Sequence, residues 1–339
     1  MIKCKNKEVN KSNNNKLVVI LYSEAKEEYF ATHEVYLTEV EVFPRSKIVK
    51  KYIEKLGYKV ILLPGNFDSI KKLNNLKPFI VFNLVDSIYG KEDLSPLIPA
   101  ALELIKVPYT GASVNGLTIN QNKYLTKIIL RQNYLKVPNF QLFFTENELI
   151  DRNLQFPLIL KLNQSHGSLE INQDSVVENE KDLRKRIKYL ILKYKQTVLV
   201  EEYITGKEIT ALMIDDHVDK LFLAEERIFF KKEKYSLFGF EVAWGDVELY
   251  DVKKYILNKK IKTDIAKAFN ILEMKDYARF EIIIDKYGKY YFIDPNANPA
   301  FGPYGTGEAL GYMLYANNIP FELIIKKIIR NVRARFKNK

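Results

Sequence analysis

This 339-residue chain has one cysteine, Cys4. A single thiol excludes an intrachain disulfide and a cysteine-cluster metal site. The three histidines, His33, His166 and His217, lie far apart, and no His-x-x-x-His pair offers zinc two ligands on one helix face. No apolar run approaches the roughly 18 residues a membrane helix needs. The opening Met-Ile-Lys-Cys-Lys-Asn-Lys has no signal-peptide core. These absences fit a cytoplasmic protein without a membrane partner. A nucleophile-elbow serine, a Cys–His pair and a base triad are also missing, which argues against a covalent hydrolase. No internal repeat or low-complexity linker interrupts the chain.

Hydrophobic residues make up 47% of the chain and charges are interspersed, so two or three packed units with a sizeable core are expected. The formal net charge of +11 would suit nucleic acid or a phosphate ligand. The basic residues are dispersed among acids, however, and read as solvated faces, so no nucleic-acid partner is expected. Their densest cluster, 326–339, also reads as the polar face of a last helix.

Residues 1–15 are polar and expected to fray. The run 17–22 (LVVILY) is a buried parallel strand by its continuous apolar character, with further strands over 58–63 and 79–84. Helical spacing over 46–56 and 94–105 completes a small open α/β unit. Residues 122–132 form another helix. From Pro157 the texture changes: a strand over 158–162, a return strand from Ile171 onward, a lysine-rich helix over 181–194, and strands over 197–203 and 208–214. A hairpin follows, 277–284 with 290–294, and a helix over 321–335 closes the chain. The units should enclose a ligand cleft.

The hairpin carries the chemistry. Arg279 and Glu281 lie two apart on one strand and share a face; Asp294 and Asn296 do the same on the other. Three oxygen-bearing side chains, Glu281, Asp294 and Asn296, can therefore converge beside an arginine. Hard oxygen donors suit Mg²⁺ whose coordination substrate phosphates complete. The arginine suits an oxyanion or a carboxylate. The plain alternative is a surface hairpin with ordinary charges.

Arg-x-Glu followed by Asp-x-Asn-x-Asn-Pro resembles the metal-binding segment of D-alanine–D-alanine ligases and their ATP-grasp relatives. Further segments match in order: Asn83-Leu84-Val85-Asp86, Pro108-Tyr109-Thr110-Gly111, Asn122-Lys123, the strand 157–161, and Val200-Glu201-Glu202-Tyr203 through Glu208. The resemblance covers roughly residues 75–335 and implies an ATP-grasp fold, with an N-terminal open α/β domain and ATP between two subdomains. It implies Glu281, Asp294 and Asn296 as Mg²⁺ ligands (Mn²⁺ able to substitute) and Arg279 on the tetrahedral intermediate. Lys123 and Lys161 would reach the phosphates under a loop containing Gly167 and Ser168, with Ser168 at the reacting centre. Glu201 and the backbone of Glu202 and Tyr203 would hold adenine, Ile293 would pack on it, and Glu208 would take the ribose hydroxyls. Glu39 or Glu41 fits the N-terminal substrate position better than His33-Glu34-Val35-Tyr36-Leu37 does. Gly305 and Thr306 fall where a ligase holds the second carboxylate.

The activity implied is ATP-dependent joining of a small carboxylate and an amine, expected to be amino acids, with a homodimer compatible. The division implied is 1–15, 16–115, 116–205 and 206–339. Two departures stand out. Glu170 replaces a glycine of the phosphate loop. Ala243, in Phe240-Glu241-Val242-Ala243-Trp244, replaces a lysine that meets the transferred phosphate. Arg227, Lys231, Lys232 and Lys234 are candidate substitutes. Without one, the chain reads instead as an ATP-binding regulator or partner subunit.

Overall fold

A computed structural model describes residues 17–30, 32–165, 167–216, 218–230, 233–244 and 249–337. The expected frayed stretch 1–15, and His166, His217, Lys231 and Lys232, lie outside the described residues. Three sheets follow one another along the chain. The first is parallel: β1 (Leu17–Tyr22) lies between β2 (Lys59–Pro64) and β3 (Ile80–Leu84). Val18 to Leu21 have no exposed surface, because helices cover both faces. Val42–Lys55 packs Val49 and Ile53 on one side; Leu97–Leu104 packs Ile98 and Leu102 on the other.

The second sheet is antiparallel, ordered β4-β7-β5-β6 with β4 (Phe140–Phe143), β5 (Leu158–Leu162), β6 (Val176–Val177) and β7 (Val198–Glu202). The helix Glu180–Tyr194 covers one face. Asn179 caps it through the Asp182 N–H at 3.0 Å, and acids fill its first turn, as the helix dipole favours. Leu183, Ile187 and Leu190, three and four apart, bury against Leu158, Leu160, Val198 and Val200. Each such burial contributes about 1.5–3 kcal/mol.

The third sheet is antiparallel and five-stranded, ordered β10-β9-β8-β11-β12 with β8 (Gly206–Asp215), β9 (Lys220–Phe229), β10 (Tyr250–Lys254), β11 (Tyr277–Asp285) and β12 (Tyr290–Ala297). Alternation sends Ala278, Phe280 and Ile282 toward the helix Lys259–Ile271, which buries Ile261, Ile265 and Phe269 on that face. Arg279, Glu281 and Ile283 are left for the opposite face. The expected boundary at 115/116 falls inside the helix Val114–Gln121. Among the described residues no helix is long and apolar enough to cross a membrane.

Candidate active site

A cleft of roughly 630 Å³ opens between the second and third sheets, with the first unit at its far end. Its wall on the third sheet is a lattice of polar rows running across the strands. In one row Glu225 of β9, Thr210 of β8, Glu281 of β11 and Asp294 of β12 are direct neighbours; in the next, Arg279 faces Asn296. The hairpin register thus sets Glu281 opposite Asp294, and Arg279 Nη2 lies 3.3 Å from Glu281 Oε1. A bulge after Glu281 breaks the β11–β12 register beside Ile293, which lines the cleft. Among the described residues no three carboxylate, imidazole or thiol groups form a ready metal cage. Two carboxylates and an amide fit a Mg²⁺ ion whose remaining positions go to phosphate.

In the third row Glu208 pairs across the strands with Arg227, their charged atoms 3.8 Å apart, and Arg227 lies equally far from Glu281. Burial pushes the Glu208 carboxyl up to about 7 despite Arg227, with Glu281 adding to the rise. Burial likewise lifts Glu225 to about 7 against the pull of Arg227 and Arg279. Glu225 and the Thr210 hydroxyl are both buried, and Thr210 Oγ1 has no partner among the described residues.

The facing wall comes from the second sheet. Lys161 Nζ lies 3.2 Å from Glu201, whose other oxygen meets Lys127 Nζ at 3.1 Å. Burial works to lower Lys161, but Glu201 and Asp294 outweigh it and hold the lysine above its ordinary value. Lys127, one turn beyond Lys123 on the helix Lys123–Gln132, also donates to the Ile293 carbonyl at 2.9 Å. It ties β7 to β12 through Glu201 and Ile293, and the motif match did not single it out. Asn122 caps that helix through the Leu125 N–H, and Lys123 at its start donates to the Ser165 carbonyl. At the hinge, the Glu202 and Tyr203 N–H groups are taken by the Asn139 and Pro157 carbonyls, each at 2.9 Å. Both N–H groups are therefore used within the fold. Ile204, next along and lining the cleft, has an N–H with no acceptor among the described residues.

The cleft brings together Lys123, Lys161, Gly167, Ser168, Glu201, Glu202, Tyr203, Glu208, Arg279, Glu281, Ile293, Asp294 and Asn296, with Glu41 and Thr306 at the far end. Glu39 and Gly305 are not part of its lining; Glu39 is buried and accepts from the Ser87 hydroxyl at 2.6 Å. Glu41 stands immediately before the helix Val42–Lys55. An unforeseen ion pair, Arg45 with Glu308 at 2.5 Å, closes the same end. Gly111 and Asn298 position this floor. Gly111 has φ +88°, and a Cβ there would meet Asn298 Oδ1 at 2.3 Å. That oxygen accepts from the Ala112 N–H at 2.8 Å.

Ala243 lines the cleft, so the wall lacks a lysine there. Lys234 instead pairs with Glu178 at 2.7 Å on the surface. Arg227 is the described candidate substitute that lies in the cleft, its guanidinium 3.7 Å above the Phe238 ring.

Two β-sheets clasping a cleft of opposed lysines and carboxylates define the ATP-grasp class. The fold is that of D-alanine–D-alanine ligase from Bacillus anthracis complexed with ATP: TM-score 0.71 and 18% identity, covering 95% of this chain and 99% of that one. The ligase from Coxiella burnetii superposes at TM-score 0.68 with 15% identity, covering 96% of each chain. The D-alanine–D-alanine ligase of Aquifex aeolicus is 26% identical over 254 residues, 75% of this chain and 83% of the relative. An uncharacterised protein of Sinorhizobium fredii is 27% identical over 281 residues, 78% of this chain and 82% of the relative. The family model described as D-ala D-ala ligase C-terminus matches residues 121–330. The chain belongs to that family and is an ATP-dependent ligase by class.

Proposed function

We propose that the chain joins a small carboxylate to an amine, both amino acids, in the cytoplasm, through an acyl phosphate. The carrying observation is the hairpin register that sets Glu281 opposite Asp294 and Arg279 opposite Asn296, across the cleft from Lys161. Lys123 and Lys161 hold the nucleotide phosphates as fixed positive charges. Ile204 and the hinge carbonyls receive adenine, with Ile293 against it, and the ionised form of Glu208 accepts the ribose hydroxyls. Glu281, Asp294 and Asn296 would hold Mg²⁺, which supplies charge neutralisation on the transferred phosphoryl group. A substrate carboxylate oxygen attacks the γ-phosphorus and ADP leaves. The amine then attacks the acyl carbon and phosphate leaves, with Arg279 and Ser168 holding the oxyanion of the tetrahedral intermediate. Glu41 holds the first substrate's ammonium, and Thr306 lies on the side of the second carboxylate. The relatives' names make D-alanine the first substrate to try.

Amino-acid-dependent ADP release, measured over D- and L-amino-acid pairs, tests this. Arg279→Ala should lower the rate about 10²–10³-fold with the fold intact, since that is the usual effect of losing one oxyanion donor. Asp294→Ala should abolish turnover. A wild-type chain that binds ATP yet releases no phosphate with any pair would instead favour the regulator reading that Ala243 raises.

A further inference from the structure

The glutamate that replaces a loop glycine does not face the cleft. Glu170 has φ +61°, the conformation a glycine would take there. Its carboxylate turns back onto the helix Glu180–Tyr194 and meets four donors. Arg186 Nη2 and Lys193 Nζ each lie at 2.8 Å, the Tyr194 hydroxyl at 2.8 Å and the Tyr189 hydroxyl at 3.0 Å. Positions 186, 189, 193 and 194 are spaced three, four and one apart, so one helical stripe serves this single side chain. Arg186 also donates to the Glu170 carbonyl at 3.0 Å. Burial alone would raise the carboxyl. Lys193, Tyr194 and Arg186 outweigh burial and hold it at about 2.

The next residue carries the restraint onward. The Ile171 carbonyl accepts from the Phe240 N–H at 3.2 Å, and a Cβ on Gly239 would meet that carbonyl at 2.2 Å. The clamp therefore reaches both cleft-lining segments that depart from the family pattern, the turn at 167–170 and the helix Phe240–Trp244 with Ala243.

We propose that Glu170 is a positioning residue: clamped to the helix Glu180–Tyr194, it fixes the 167–170 turn, so that Gly167, Ser168 and Leu169, which line the cleft, are held in place where the nucleotide phosphates would bind. A glycine turn must be ordered when phosphate binds, whereas a clamped turn is ordered beforehand. This rests on the ATP-site reading above. The test compares Mg·ATP with AMP by calorimetry, because the turn concerns phosphates that AMP lacks.

Glu170→Gly suits the local backbone and removes the clamp. It should weaken ATP about tenfold while leaving AMP affinity nearly unchanged, with some fall in melting temperature because Arg186 and Lys193 lose their acceptor, and Glu170→Gln should fall between it and wild type. Unchanged ATP affinity, or equal loss for ATP and AMP, would overturn the proposal. Glu208→Ala, read in parallel, separates the failures. It should weaken both nucleotides, and no effect from it would mean that the ATP site itself is misplaced.

Discussion

Arg227 is the residue on which the nucleotide site turns. Its guanidinium lies between Glu208 and Glu281 and stacks on Phe238, with its side chain 6% exposed. Glu208 has it as an ion-pair partner and Glu281 shares it with Arg279, so with Ala243 in place of a lysine it is a second cation on this wall. Arg227→Ala should weaken Mg·ATP by about 10–100-fold, as losing a buried charge-assisted contact of roughly 1.5–3 kcal/mol implies. Lys234→Ala, which removes a surface partner of Glu178, should leave ATP affinity unchanged. Calorimetric titration of the two variants checks both halves. Equal losses would mean that the cation is shared with the surface. At this scale the sequence was partly legible. Motif spacing pointed to Glu281, Asp294 and Asn296, because two-residue alternation on a strand fixes a face. It missed Lys127 and Ile204, which stand out only in the fold: one as a buried amine reaching the Ile293 carbonyl, the other as a backbone N–H left without an acceptor among the described residues. Neither leaves a trace in residue type.

At the scale of elements, the polar rows of β8 and β9 store an electrostatic cost. Glu208 and Glu225 are carried from the ordinary 4.5 to about 7, chiefly by burial. A carboxyl raised on folding binds its proton more tightly in the folded chain. Stability therefore falls as pH rises from the ordinary value through about 7, by up to about 3 kcal/mol per group. The nucleotide-free, metal-free protein should melt at progressively lower temperature between pH 5 and 8, and Glu225→Gln should flatten that decline. A melting temperature that climbs over the same range would contradict the buried rows. These rows also explain what pattern reading missed. LVVILY and LILKL announce β1 and β5 through apolar character. By contrast β9, Lys-Leu-Phe-Leu-Ala-Glu-Glu-Arg-Ile-Phe, carries Glu225 and Arg227 mid-strand because one of its faces lines a polar cleft, while Glu226 between them turns to the other face and pairs with Lys207. The return strand expected from Ile171 begins at Val176, since Asn172 caps a turn over Gln173–Ser175 and delays it.

At the scale of the whole molecule, one buried carboxylate joins chain segments from opposite ends. Asp276, just before β11, has no exposed surface. It accepts from the Gly111 N–H at 2.6 Å, from Asn331 Nδ2 at 2.6 Å and from Arg335 Nη2 at 3.0 Å; Arg335 also donates to the Tyr109 and Gly111 carbonyls. The first α/β unit, the β11–β12 hairpin and the last helix, Phe321–Lys337, therefore meet at one charge, a short step from the Gly111–Asn298 contact at the far end of the cleft. Half of the basic residues of that helix are ion-paired: Lys327 and Arg330 with Asp216, and Arg335 with Asp276. Arg335→Met should cost about 3–5 kcal/mol, because it strands a buried carboxylate without its cation. Asp276→Leu alone should also destabilise, by leaving the guanidinium and the Gly111 N–H without an acceptor. The two losses share one interaction, so the double variant should be less damaged than their sum, by about 0.5–3 kcal/mol of coupling. Urea unfolding of the four proteins gives that coupling directly. Additive losses would mean that Asp276 and Arg335 act independently, and that the first unit is held to the hairpin by apolar packing among Phe82, Tyr277 and Phe301 instead.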